Sequence, residues 1–148
     1  MPYDDLPVAE FAFPGPARDR HVAAVLAGTK TGTSALVAEY ERSGERLPFP
    51  GQREAVVDSR GRCIAVIETV AARVVRLEDV DLAHAHSEGC ASVRQWREEH
   101  ERVWLSAAMR QVLDEAAFTL DDDTLVVAQE FRLVGRYAES PAELLFQW

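Results

Sequence analysis

The densest chemistry in the chain lies between Gly28 and Ser34, in the run Gly-Thr-Lys-Thr-Gly-Thr-Ser. Lys30 is the single lysine among 16 basic residues; the other fifteen are arginine. An amine can be relieved of its proton by burial, whereas a guanidinium stays charged in proteins. Thr33 follows three residues later. In a helical turn that spacing puts both side chains on one face. There a desolvated amine can take the hydroxyl proton and make Thr33 a nucleophile. The bland alternative is a polar turn with a solvated lysine, and short motifs match often by chance. A phosphate-binding loop is excluded by residue order: it needs Lys directly after its second glycine, and here Lys30 precedes Gly32.

Two further clusters invite chemistry. His84, His86, Glu88 and Cys90 lie within seven residues. A zinc site needs three or four ligands, usually in two clusters, and no Cys-x-x-Cys supplies the second. No metal and no cofactor are therefore expected. Glu88 alone remains of interest, as an acid or base lifted into a pocket. In Trp96-Arg97-Glu98-Glu99-His100 the tryptophan and histidine share an apolar helical face, where a histidine is usually a satisfied core residue. Arg97 with Glu101 is an i,i+4 surface pair. Glu68 and Glu130 stand inside strand-like runs and face either solvent or a ligand.

The elements that would hold these groups are partly readable. Pro16 suits the first turn of a helix and Gly28 the position just past its end. Residues 43–51 read as a loop. Strands are expected near Glu54–Asp58, at Arg62–Val70, at Arg73–Leu77 and at Thr124–Val134, with a turn at residues 59–61. Ser92 with Gln95 forms a capping-box pattern. It opens one long helix, or two with a bend, that ends by residues 121–123. Short strands without crossover helices favour an antiparallel or mixed sheet, hence an α+β fold, a small curled β-barrel with flanking helices.

Composition bounds the rest. One domain is expected over all 148 residues, with a core at about 10–134 and a C-terminal tail at 135–148. The 25 acidic residues give a net charge of -9, which disfavours general polyanion binding. The longest apolar runs fall far short of a membrane span, the N-terminus does not read as a signal peptide, and two cysteines make no disulfide framework. A cytoplasmic location is the expectation.

The ordered series Gly28-x-Lys30-Thr31-x-Thr33, Leu36, Tyr40-Glu41, Leu47-Pro48, Gly51, Ala85-x-x-Glu88-Gly89 and Trp96-Arg97-x-x-His100 resembles the ASCH domain family over roughly residues 10–134. The resemblance implies a PUA-like fold, a small β-barrel with helices around a cleft, and a link to RNA or modified nucleosides. One branch of the family comprises N4-acetylcytidine amidohydrolases. Carried over by motif position, their catalytic set becomes Lys30, Thr33 and Glu88, with Gly28, Thr31, Tyr40 and Arg97 as substrate contacts. The chain departs from the family pattern at Cys90-Ala91-Ser92 and in its Phe13-Pro14-Gly15 start.

On this reading Thr33 attacks the amide carbonyl and Lys30 accepts its proton. Glu88 moves a proton to the leaving amine or activates water, and backbone N–H groups of the Gly28–Ser34 run hold the oxyanion. The alternatives are an RNA- or nucleotide-binding module without turnover, with Tyr40 or Trp96 stacking on a base, and a ribonuclease using His84, His86 or Glu88 with Lys30. The expected partner is a small nucleoside or modified base rather than a membrane, with RNA as the competing ligand.

Overall fold

The computed structural model describes residues 5–136. Most of the expected tail lies outside them. Five strands form one mixed sheet: β1 (Val8–Ala9), β2 (Gly32–Leu36), β3 (Arg53–Val57), β4 (Cys63–Arg76) and β5 (Leu125–Arg136). Their spatial order is β1-β3-β4-β5-β2. β1 runs parallel to β3, and the other neighbours are antiparallel. The α+β class holds, but the sheet is open: β1 and β2 are its edges, and the expected barrel does not close. Among the described residues no helix is long and apolar enough to cross a membrane.

The helices cover both faces. α1 (Pro16–Ala27) begins at its proline and ends at Gly28, whose φ of 79° is the left-handed conformation glycine adopts without a Cβ penalty. Its Val22 and Val25 pack with Phe11, Val56, Ile67 and Phe131 on one side of the sheet. α2 (Val37–Ser43) follows β2 directly. α3 (Leu82–Ser87) is capped by Asp81, which accepts from the His84 N–H. The long helical stretch resolves into α4 (Val93–Trp104) and α5 (Ala107–Leu113), capped by Ser92 and Ser106. Trp96, Trp104, Met109 and Leu113 pack with Leu36, Leu77 and Val126 on the opposite side.

Two expected strands, 62–70 and 73–77, are one. β4 runs through fourteen residues, with a bulge between Thr69 and Ala71. The bulge bends the strand, so its first half pairs with β3 while its whole length pairs with β5.

Candidate active site

Lys30 does not sit in a helical turn. It ends the connection from α1, and the chain then enters β2, which carries Thr33 paired to Gln129. Along a strand, positions alternate between faces. Gly32, Ser34 and Leu36 face the side of Trp96, while Thr31 and Thr33 face the side of Phe131 and Gln129. Lys30 precedes the strand, so the three-residue spacing is not that of a helical turn.

Lys30 and Glu88 nevertheless come together. The free edge of β2 is occupied by α3: the Thr31 N–H donates to the Ser87 carbonyl at 2.7 Å. This approach requires Gly32. A Cβ there would overlap Ser87 Oγ and lie 2.9 Å from its Cβ. The next residue, Glu88, is thereby delivered to Lys30, with Nζ 3.3 Å from Oε1. Both side chains are almost wholly shielded, at 2% and 3% exposure. A charge so buried needs a partner, because its desolvation costs several kcal/mol.

Glu88 has more than one. Ser34 Oγ donates to Oε2 at 2.7 Å and Trp96 Nε1 at 2.6 Å. His84 Nε2 stands 2.9 Å from Oε2, and His100 Nε2 stands 3.2 Å from Oε1. Burial by itself would raise the acid's pKa. The hydrogen bonds from His100 and His84, with the charge of Lys30, overcome this and hold the carboxyl well below the usual range. Such a carboxylate is a poor proton donor. Its chemistry is to hold a positive charge in place.

The donors are themselves fixed. Trp96 is fully buried and stacks on His100, with ring centroids 4.3 Å apart. His100 Nδ1 donates to the Trp96 carbonyl at 2.7 Å. His100 was expected to be a core histidine, yet it touches Glu88. His21 of α1 lies half-buried near the same charges. Burial, then the field of Lys30, pushes its pKa down to about 4, so it is neutral near pH 7.

The other expected contacts divide. Gly28 caps α1. The N–H groups of residues 28–30 bond back to the Ala24 and Val25 carbonyls, and that of Thr31 bonds to Ser87, so residues 28–31 offer no oxyanion donors. Arg97 is engaged at the surface with Glu101 and Asp122, both at 2.7 Å, tying α4 to the loop before β5. Tyr40 lies on α2, half-buried; burial and the nearby Glu54 carboxylate push its phenol pKa up. His86 is exposed, and among the described residues no cluster is placed to hold a metal.

The strand carboxylates also separate. Glu68 faces outward, bridging Arg53 and Arg132, and Glu130 is exposed. The inward one is Glu54, which the sequence reading passed over. Its signal was phase: Glu54 alternates with the fully buried Val56. Gln129 Nε2 donates to Glu54 at 2.7 Å and to Thr69 at 2.8 Å.

An open mixed sheet with helices on both faces and a buried Lys–Glu pair at an edge strand defines the class. The chain belongs to the ASCH domain family, whose model matches residues 10–135. It is similar to a crystal structure of a protein from Enterococcus faecalis, at 28% identity and a TM-score of 0.70, covering 81% of this chain and 70% of that one. The ASCH domain from Lactobacillus crispatus is 23% identical with a TM-score of 0.75, covering 91% and 83%. An ASCH protein of Zymomonas mobilis is 17% identical with a TM-score of 0.41, covering 87% and 74%. No curated protein matches the chain.

Proposed function

We propose that this chain is a small amidohydrolase that removes an acyl group from the exocyclic amine of a pyrimidine nucleoside such as N4-acetylcytidine. The observation that carries the reading is the buried Lys30–Glu88 pair, 3.3 Å apart, at the mouth of the strand that bears Thr33. The Thr33 hydroxyl has no protein partner among the described residues, so it is free to react.

The steps follow from these groups. The step starts from the minor form in which Lys30 has given its proton to water: Thr33 Oγ bonds to the amide carbonyl carbon, and the hydroxyl proton passes to the neutral Lys30 amine. As the carbon–nitrogen bond breaks, Lys30 returns that proton to the leaving exocyclic nitrogen. Water then cleaves the acyl-threonine ester, releasing the acid and restoring the hydroxyl. Glu88 holds the amine in place and balances its charge in the protonated state, a role that suits a carboxylate enclosed by five polar side chains. An oxyanion donor has to come from outside residues 28–31.

The test is release of cytidine from N4-acetylcytidine by purified protein, with Lys30→Ala and Thr33→Ala beside it. Turnover by wild type and a loss of at least about a hundredfold in each variant is expected. Equal inertness of wild type and Lys30→Ala across a panel of acylated nucleosides sinks the proposal. Nucleoside binding without turnover would then favour the binding-module reading.

A further inference from the structure

Thr33 has a second neighbourhood that the Lys30–Glu88 pair does not account for. Its ladder partner Gln129 is 4% exposed and spends its amide donor on Glu54 and Thr69. Thr69 is 2% exposed. One ladder position beyond β3, the Thr69 N–H donates to the Gln52 carbonyl at 2.8 Å, which continues the β3–β4 pairing and puts the Gln52 side chain in phase with Glu54. Gln52 Oε1 is buried and has no hydrogen-bond partner. Leaving such an acceptor unmade costs about 1–3 kcal/mol, so native proteins rarely keep one without a use.

The neighbours sharpen what that use is. The sheet face around Thr33 offers mostly acceptors: Gln52 Oε1, the Glu54 carboxylate and the threonine oxygens. Tyr40, beside Glu54, contributes a phenol that stays protonated and can donate. Phe49, whose carbonyl accepts from the Gln52 N–H at 3.0 Å, is 39% exposed and carries the Arg46 guanidinium 4.7 Å from its ring centroid. A half-exposed aromatic ring beside an unpaired acceptor suits a flat heterocycle. The Lys30 amine borders the same face, since it lies 5.4 Å from the Phe11 ring, which packs on Phe131.

We infer that Tyr40, Gln52, Glu54 and Gln129 form a base-reading subsite that holds the amine-bearing edge of a cytosine ring, with the exocyclic N–H group directed to Gln52 Oε1. The inference rests on the nucleoside reading above and names how the ligand is chosen. A cytosine presents an amino donor where uracil presents a carbonyl acceptor. A site lined by acceptors rejects uracil, because its own buried groups would face another acceptor.

The experiment binds plain cytidine and plain uridine to the full chain, so that no turnover is needed. Affinity is read by titration of the nitrogen-15-labelled protein, following the side-chain amides of Gln52 and Gln129. The variants are Gln52→Met and Lys30→Ala. Cytidine should bind at least about tenfold more tightly than uridine and shift both amides. Gln52→Met should lose about tenfold in cytidine affinity while unfolding no more easily than wild type, since it deletes an acceptor that has no partner. Unchanged cytidine affinity in Gln52→Met, equal binding of the two nucleosides, absence of cytidine binding, or shifts confined to the surroundings of Lys30 each overturn the subsite. Cytidine binding lost in Gln52→Met, with no hydrolysis of N4-acetylcytidine by wild type, would sink the hydrolase and leave the subsite standing.

Discussion

Glu88 accepts from more side chains than a carboxylate needs to be satisfied, and this fixes what it can do. Five polar side chains converge on two oxygens that solvent scarcely reaches. The consequence for stability is readable as a function of pH. Near neutrality Glu88→Gln should cost about 3–5 kcal/mol, the usual penalty for leaving the other charge of a buried pair alone. Glu88 is depressed in the fold, so its stabilisation is present above the unfolded carboxylate value of about 4.3 and is lost as pH falls through the folded value below it. His21 acts in a higher window. Its imidazole falls from 6.5 to about 4 on folding, so between those values the unfolded chain binds more protons. His21 therefore adds stability as pH rises from about 4 to 6.5, opposed in that window by Glu39 and Glu54, whose carboxyls burial pushes up. Urea unfolding at a series of pH values checks both. His21→Asn should flatten the curve between pH 4 and 6.5, and Glu88→Gln should flatten it below about 4. A wild-type slope in the upper window that survives His21→Asn would show that another group is responsible.

At the scale of elements, the site depends on how closely α3 approaches the edge of β2. That contact explains both what the sequence disclosed and what it hid. The helix from Pro16 to Gly28 was legible because proline and glycine mark its ends by backbone sterics alone. The Ser92 cap was legible for the same local reason. β2 was not. Gly-Thr-Ser-Ala-Leu reads as a polar turn, and it becomes a strand only because β5 pairs with it along its whole length. The face assignment of Thr33 changed with it, since helical and strand periods send the third residue in different directions. Ser34 as a partner of Glu88 was hidden by the same misreading, although it stood in the motif. The chemistry of Lys30 and Glu88 was visible in residue types, but their meeting depends on a contact spanning 58 positions. Gly32→Ala tests the contact. The added methyl must displace Ser87, and we expect a loss of about 1–3 kcal/mol with reduced turnover. Ser87→Gly removes the two nearest atoms and leaves the Gln129 carbonyl oxygen at 3.2 Å, so the double variant should regain most of the loss. Failure of that rescue would mean that strain within β2, rather than the approach of α3, sets the cost.

For the molecule as a whole, the charge distribution gives a polymer and a small ligand different expected salt responses. The net charge is -9, and much of the arginine is already committed. Arg76 pairs with Glu78, Asp79 and Asp123, Arg97 with Glu101 and Asp122, and Arg53 and Arg132 share Glu68. Phosphates of a nucleic-acid backbone would have to displace these carboxylates and approach a negative surface. Lys30, the one amine, is buried against its own counter-ion and offers no surface contact. Backbone-driven binding releases condensed counterions, so its affinity falls steeply as salt rises; a neutral nucleoside releases none. Single-stranded RNA of about twenty nucleotides and cytidine should therefore be titrated from 50 to 200 mM salt. We expect cytidine affinity to stay within about twofold over that range, and RNA affinity to be no stronger than that of the nucleoside it contains. An RNA affinity that exceeds cytidine's and drops tenfold or more with salt would show phosphate neutralisation by these arginines. It would overturn the proposed nucleoside hydrolase in favour of an RNA-binding module.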